Sequence, residues 1–264
     1  MRTMVSVRGT TVDVPTPDGT ADAYLTHPDG PGPYPAVLFF TDAFGVRPQS
    51  RNMADRIAAS GCAVLVPNVL HRHGRAPVTE LPDFIGPDER AGVFSRLMPL
   101  MTDLTPERVV SDADAYLRWL AESPLTTDGP VALTGYCMGA GLALRTATAF
   151  PGRVAAVAGF HGAQLATTEP DSPHLLVDRL RGVEVYFAHA DQDQAMPLEQ
   201  IERLEQALTE AGVRHRTEVY AGARHGFTQA DTAAYDAGAD ARHWAALLGL
   251  VGRALGVDGR SSGG

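Results

Sequence analysis

The sequence predicts an α/β fold: one domain over residues 1–255, built on a mostly parallel sheet of about eight strands with helices on both faces. Three observations lead there. Short apolar runs recur along the chain, each bounded by glycine, proline or asparagine. Between them lie segments with helical spacing. At 264 residues and 44% apolar content, the chain can bury a sizeable core.

Taken in order, residues 5–14 and 21–27 read as an N-terminal hairpin around Pro17-Asp18-Gly19. The segments at 36–41, 62–66, 131–134, 154–160, 183–189 and 215–220 are the remaining strand candidates. Helical spacing predicts helices over 49–60, 106–122, 139–150, 197–211 and 235–255; the first ends on Gly61 and the fourth on Gly212, as a left-handed C-cap requires. Residues 68–105 break the rhythm. They are rich in proline and glycine yet carry Leu81, Phe84, Ile85, Phe94, Leu97 and Met98, so the segment reads either as a lid or as a packed surface excursion with a short helix. Residues 256–264 read as a flexible tail.

Composition excludes several functions. With 22 Lys+Arg against 31 Asp+Glu, the net charge of -9 has the wrong sign for a nucleic-acid binder. No run of about 18 apolar residues could span a bilayer, and the first residues have no apolar signal region, so a soluble cytoplasmic protein is expected. The cysteines, Cys62 in an apolar run and Cys137 in a glycine frame, read as free thiols. His71-Arg72-His73 lacks the surrounding ligands of a zinc site, and the glycines at 135, 139 and 141 lack dinucleotide spacing; neither a metal nor a cofactor is expected.

The chemistry is carried by Gly135-Tyr136-Cys137-Met138-Gly139, which follows an apolar strand and precedes a helix of small residues. Flanking glycines allow a sharp strand-to-helix turn that lifts a nucleophile above the sheet. A thiol there needs a base, and the base needs a carboxylate to fix its tautomer. The loops after the next strands offer both: Asp191 and Asp193 follow 183–189, and His225 follows 215–220. Nucleophile, acid, histidine is the chain order of an α/β-hydrolase.

These stretches, with Phe39-Phe40-Thr41-Asp42-Ala43-Phe44-Gly45-Val46-Arg47, Asp193-Gln194-Ala195-Met196-Pro197 and Tyr220-Ala221-Gly222-Ala223-Arg224-His225-Gly226-Phe227, resemble the dienelactone hydrolase family of cysteine-nucleophile α/β-hydrolases, from residue 35 to about 248. The resemblance implies Cys137 as nucleophile, His225 as base and later acid, and Asp193 rather than Asp191 as the orienting carboxylate. It implies an oxyanion hole formed by the N–H groups of Ala43 and Met138. It also places Asp42 where the family has a glutamate that modulates the thiol. The family's substrate-carboxylate arginine, four residues after the histidine, is Gln229 here, so Arg47, Arg72, Arg75 and Arg90 become candidates to replace it. Phe44, Arg47, Tyr136, Phe160 and His161 are the expected substrate-binding residues.

The expected activity is hydrolysis of a small-molecule carboxylic ester or lactone through an acyl-thioenzyme, without cofactor. Acyl transfer or cyclisation by the same triad is the enzymatic alternative. A non-catalytic small-molecule binder on the same fold is the alternative of another class. The sequence leaves the oligomeric state open.

Overall fold

A computed structural model describes residues 5–257. Eight strands form one sheet: β1 (Val7–Thr16), β2 (Gly19–Pro28), β3 (Ala36–Phe40), β4 (Ala63–Pro67), β5 (Val131–Tyr136), β6 (Val154–Phe160), β7 (Glu184–Ala190) and β8 (His215–Tyr220). Their order across the sheet is β1-β2-β4-β3-β5-β6-β7-β8. β1 and β2 form the expected hairpin and β2 pairs antiparallel with β4, whereas every later neighbour pairs in parallel. Because parallel strands need crossovers, helices cover both faces and the central strands are buried throughout.

Side-chain alternation divides the core into two layers. Leu38, Leu133, Val157 and Phe187 pack on one face with α3 (Pro106–Glu122), α4 (Met138–Ala149) and α5 (Leu198–Glu210). Val37, Phe39, Ala132, Tyr136 and Phe160 pack on the other with α1 (Pro48–Ala58) and α6 (Ala237–Leu255). Local signals set the helix ends. Thr105 caps α3 by accepting from Arg108 N, Pro106 occupies its first turn, and Asp236 caps α6 by accepting from Ala239 N at 2.8 Å.

The sequence reading differs from the structure in two places. Within 68–105 there is a helix of 15 residues, α2 (Pro87–Met101), rather than a short one. Its start carries Pro87, Asp88 and Glu89, and Val93 and Leu97, one turn apart, are buried in the core. The segment ahead of it is tied down by backbone bonds from Ile85 N to Asp231 O at 2.9 Å and from Ala233 N to Ile85 O at 3.1 Å. The second difference is Gly256, expected in a flexible tail. It caps α6 in the left-handed conformation, φ 66°, and Val257 N donates back to Gly252 O. The remainder of that expected tail, 258–264, lies outside the described residues. No helix among the described residues is long and apolar enough to cross a membrane.

Candidate active site

Cys137 stands between the end of β5 and the start of α4 with φ 55° and ψ -120°, a conformation that L-residues avoid. The two glycines make this turn sterically allowed. A Cβ at Gly135 would run into the Gly139 carbonyl, and one at Gly139 into the carbonyls of Phe40 and Thr41. Both close approaches press the elbow against the ends of β3 and β5. Surrounding bonds hold the strain in place: Cys137 N donates to Phe160 O, and Cys137 O accepts from Ala140 N and Ala163 N. Gly135→Ala is therefore expected to lower the unfolding free energy by about 3 kcal/mol. Gly152→Ala, where an added methyl meets nothing within 4 Å, is expected to change it by less than about 0.5 kcal/mol in the same urea titration.

His225, in the loop after β8, lies beside this thiol. Its Nδ1 bonds Asp193 Oδ2 at 2.6 Å, and the other carboxylate oxygen accepts from Ala195 N at 2.9 Å. Asp193 is thus locked by the backbone of its own loop while it grips the imidazole. Asp191 lies elsewhere and accepts from Gly222 N at 3.0 Å. Burial of the His225 ring opposes its positive charge. The charge on a Cys137 thiolate, together with the hydrogen bonds and charge of Asp193, outweighs burial and raises the His225 pKa from 6.5 to about 10. The contrast with Cys62 is clear: that thiol is fully enclosed by the core, and burial pushes its pKa up to about 12.

A raised pKa means that the folded protein holds the His225 proton more tightly than the unfolded chain. The associated stabilisation is complete below pH 6.5 and is lost as pH rises through about 10. The His225 ring resonances are expected to show no titration step between about pH 5 and 8 in an NMR series. A midpoint near 6.5 would mean that the thiol and imidazole do not share charge.

Met138 opens α4, so its N–H has no acceptor within the helix. Ala43, just beyond β3, lines the same small cavity as Cys137, His161 and His225. From there a cleft of about 550 Å³ opens outward. Phe94, Met98 and Met101 of α2 and Leu142 of α4 supply its apolar wall; Arg90, Arg145, Gln164, Gln192 and Gln194 supply polar groups. The sequence reading allowed only a short helix within 68–105 and did not assign its side chains to the cleft. The spacing of Arg90, Phe94, Met98 and Met101, which places them along one side of a helix, was the available signal.

Comparison with known proteins gives the family and the fold. Residues 21–255 match the dienelactone hydrolase family. The chain belongs to that family. A Synechocystis protein provisionally assigned as a carboxymethylenebutenolidase is 29% identical over 91% of this chain and 94% of its own length. The carboxymethylenebutenolidase of Rhodococcus opacus is 28% identical over 80% of this chain and 77% of its own. Among solved structures, a dienelactone hydrolase-like promiscuous phosphotriesterase from metagenomic libraries superposes with a TM-score of 0.76 at 23% identity, covering 94% of this chain and 99% of that one. As a dienelactone hydrolase family member, the protein is an ester or lactone hydrolase of the α/β-hydrolase fold.

Against its family, several expected site residues take other positions. Tyr136 and Phe160 do not line the cleft: both are fully buried in the core layer under α1 and α6, where the Tyr136 hydroxyl meets His243 Nε2 at 2.9 Å. Arg47 is not free for substrate. It is 6% exposed, and its guanidinium is occupied by Asp42 (2.6 and 3.0 Å), Asp231 (2.6 and 3.1 Å) and Gln229 Oε1 (2.8 Å). Asp42 borders the small cavity together with Cys137, but its carboxylate bonds Arg47. Both of its oxygens face Arg47, and Oδ1 also accepts from Phe44 N at 3.1 Å. The shorter acid serves the loop that carries Ala43. Of the other arginine candidates, Arg72 pairs with Asp112 and Asp18, Arg75 pairs with Asp13, and only Arg90 reaches the cleft. Phe44 packs edge-on against Phe94, 5.4 Å between centroids, and borders the small cavity as expected. His161 is fully buried at φ 39°, its ring edge-on to His225 at 5.4 Å. Elsewhere, His71 meets Thr16 and His73 meets Asp103.

Proposed function

We propose that this hydrolase acts through an acyl-thioenzyme on Cys137, with His225 and Asp193 completing the triad. The carrying observation is the thiol on a strained turn beside an imidazole whose far nitrogen is held by Asp193 at 2.6 Å. His225 holds the proton taken from Cys137, and the thiolate attacks the acyl carbon. The N–H groups of Ala43 and Met138 receive the developing oxyanion, a contribution of about 3 kcal/mol for one such donor. His225 then protonates the leaving alkoxide and, once neutral, draws a proton from water to release the acid.

The apolar wall from α2 favours a bulky, uncharged acyl or alcohol group. The relatives' name points to a butenolide lactone, but Gln229 stands where the family carries its carboxylate arginine, so we assign an ester or lactone without that carboxylate. Residues 68–105 serve as a cap over this substrate. A working thiolate suits a reducing, cytoplasmic compartment.

The test is intact-protein mass spectrometry after brief exposure to a panel of p-nitrophenyl esters and lactones. An acyl adduct is expected on the peptide containing Cys137. Turnover without any such adduct, even under rapid quenching, together with a fully active Cys137→Ala variant, would overturn the mechanism.

A further inference from the structure

The Arg47 cluster continues past Gln229. Gln229 Nε2 donates to Thr228 Oγ1 at 2.9 Å, and Thr228 Oγ1 lies 2.8 Å from His161 Nε2. A buried chain of side chains therefore runs from the loop that carries Ala43 to the ring packed on His225. Asp42, Arg47, Gln229, Thr228 and His161 are each at most 6% exposed.

The donors in this chain can be ordered without reference to hydrogen positions. A guanidinium only donates, so Gln229 must turn its oxygen toward Arg47. Its nitrogen then faces Thr228 and can only donate, so the Thr228 oxygen accepts. Among the described residues, the Thr228 hydroxyl proton has one acceptor in reach, His161 Nε2. Nε2 is thereby the unprotonated nitrogen, and the ring proton sits on Nδ1, which has no partner among the described residues.

We propose that Thr228 and Gln229 are positioning residues: they fix His161 as the neutral Nδ1–H tautomer behind His225 and tie that ring to the Asp42–Arg47 pair that holds the Ala43 loop. The consequence for the reaction is twofold. A neutral His161 leaves His225 free to carry the imidazolium charge without a second cation 5.4 Å away. The linkage also keeps the base and one oxyanion donor, carried by loops far apart in sequence, in a fixed relation. Burial, followed by His225, His243 of α6 and Arg90 of α2, disfavours protonation of His161, whereas its own backbone acts the other way; Cys137 lines the same cavity.

This inference rests on the triad proposed above, and its test separates the two. Long-range proton–nitrogen NMR of the ¹⁵N-labelled full chain, with His161 assigned by its loss in His161→Gln, reads the tautomer without any turnover. The expected result is a single neutral Nδ1–H form from about pH 5.5 to 8. Thr228→Val, which removes the hydroxyl, is expected to mix the tautomers and to lower kcat roughly tenfold with KM little changed, the scale of one lost hydrogen bond. Thr228→Ser is expected to restore both. If Thr228→Val does not fold, Gln229→Met breaks the same chain one link earlier and is read in the same way. An Nε2–H tautomer in the wild type, or a tautomer and kcat indifferent to both variants, would overturn the positioning role. Absence of a Cys137 adduct would instead count against the triad and leave the tautomer result standing.

Discussion

Replacing Cys137 with Ala is expected to lower ester turnover by at least about 10⁴-fold while the circular dichroism spectrum remains that of the wild type. The size follows from the elbow. Among the described residues no other nucleophile has a positive φ, and Cys62 is sealed in the core with its thiol strongly protonated. The fold survives because the substitution leaves Gly135 and Gly139, which bear the steric demands of the turn, in place. Cys137→Ser is expected to fall close to the Ala variant, since a serine hydroxyl holds its proton far more tightly than a thiol, and the thiolate charge that does most to raise the His225 pKa is lost with the sulfur. Steady-state kinetics on a p-nitrophenyl ester decides the matter: activity within tenfold of wild type in the Ala variant would assign the chemistry to another group.

Replacing Asp193 with Asn is expected to reduce kcat by about 10³- to 10⁴-fold. An amide nitrogen turned toward His225 Nδ1 would favour the tautomer in which Nδ1 accepts, and the 2.6 Å charge-assisted bond that steadies the imidazolium would be lost. The oxygen that accepts from Ala195 N can remain, so the loop should keep its shape. Asp191→Asn is the internal control. Its carboxylate accepts from Gly222 N on an exposed turn, and its effect on kcat should stay within about threefold. The opposite ranking of the two variants would mean that Asp191 orients the base.

What the sequence revealed and what it withheld have physical causes. Five of the six parallel strands were legible because both of their faces are buried, which leaves apolar runs such as Ala63–Pro67 and Val154–Phe160; the edge strand β8 is mostly polar and only partly buried. Cys137, Asp193 and His225 could be proposed from sequence because each follows a strand at the edge where parallel sheets present their loops. Tyr136 was misplaced by its adjacency to Cys137 in sequence, and Phe160 by its position at the end of the neighbouring strand β6. Strand alternation puts Tyr136 on the same side as Ala132, and Phe160 on the same side as Ala156 and Ala158, facing α1 and α6. The fate of Arg47 could not be read, since its partner Asp231 lies 184 residues along the chain and nothing local marks the pair. The helix in 68–105 was obscured by the proline- and glycine-rich stretch ahead of it, although its own first turn carried the proline and acidic residues of a helix start.

The contribution of α2 to the cleft has a consequence for engineering. Cys137, Asp193 and His225, the residues proposed to react, follow strand ends, whereas the wall facing them belongs to a helix whose fully buried residues are Val93 and Leu97. Met98, half-exposed, and its neighbours in the cleft can vary in size without disturbing either anchor. Changes on α2 would therefore alter the cleft one side chain at a time without touching the proposed triad. A graft of residues 87–101 between family members is the natural unit for exchanging specificity in the laboratory.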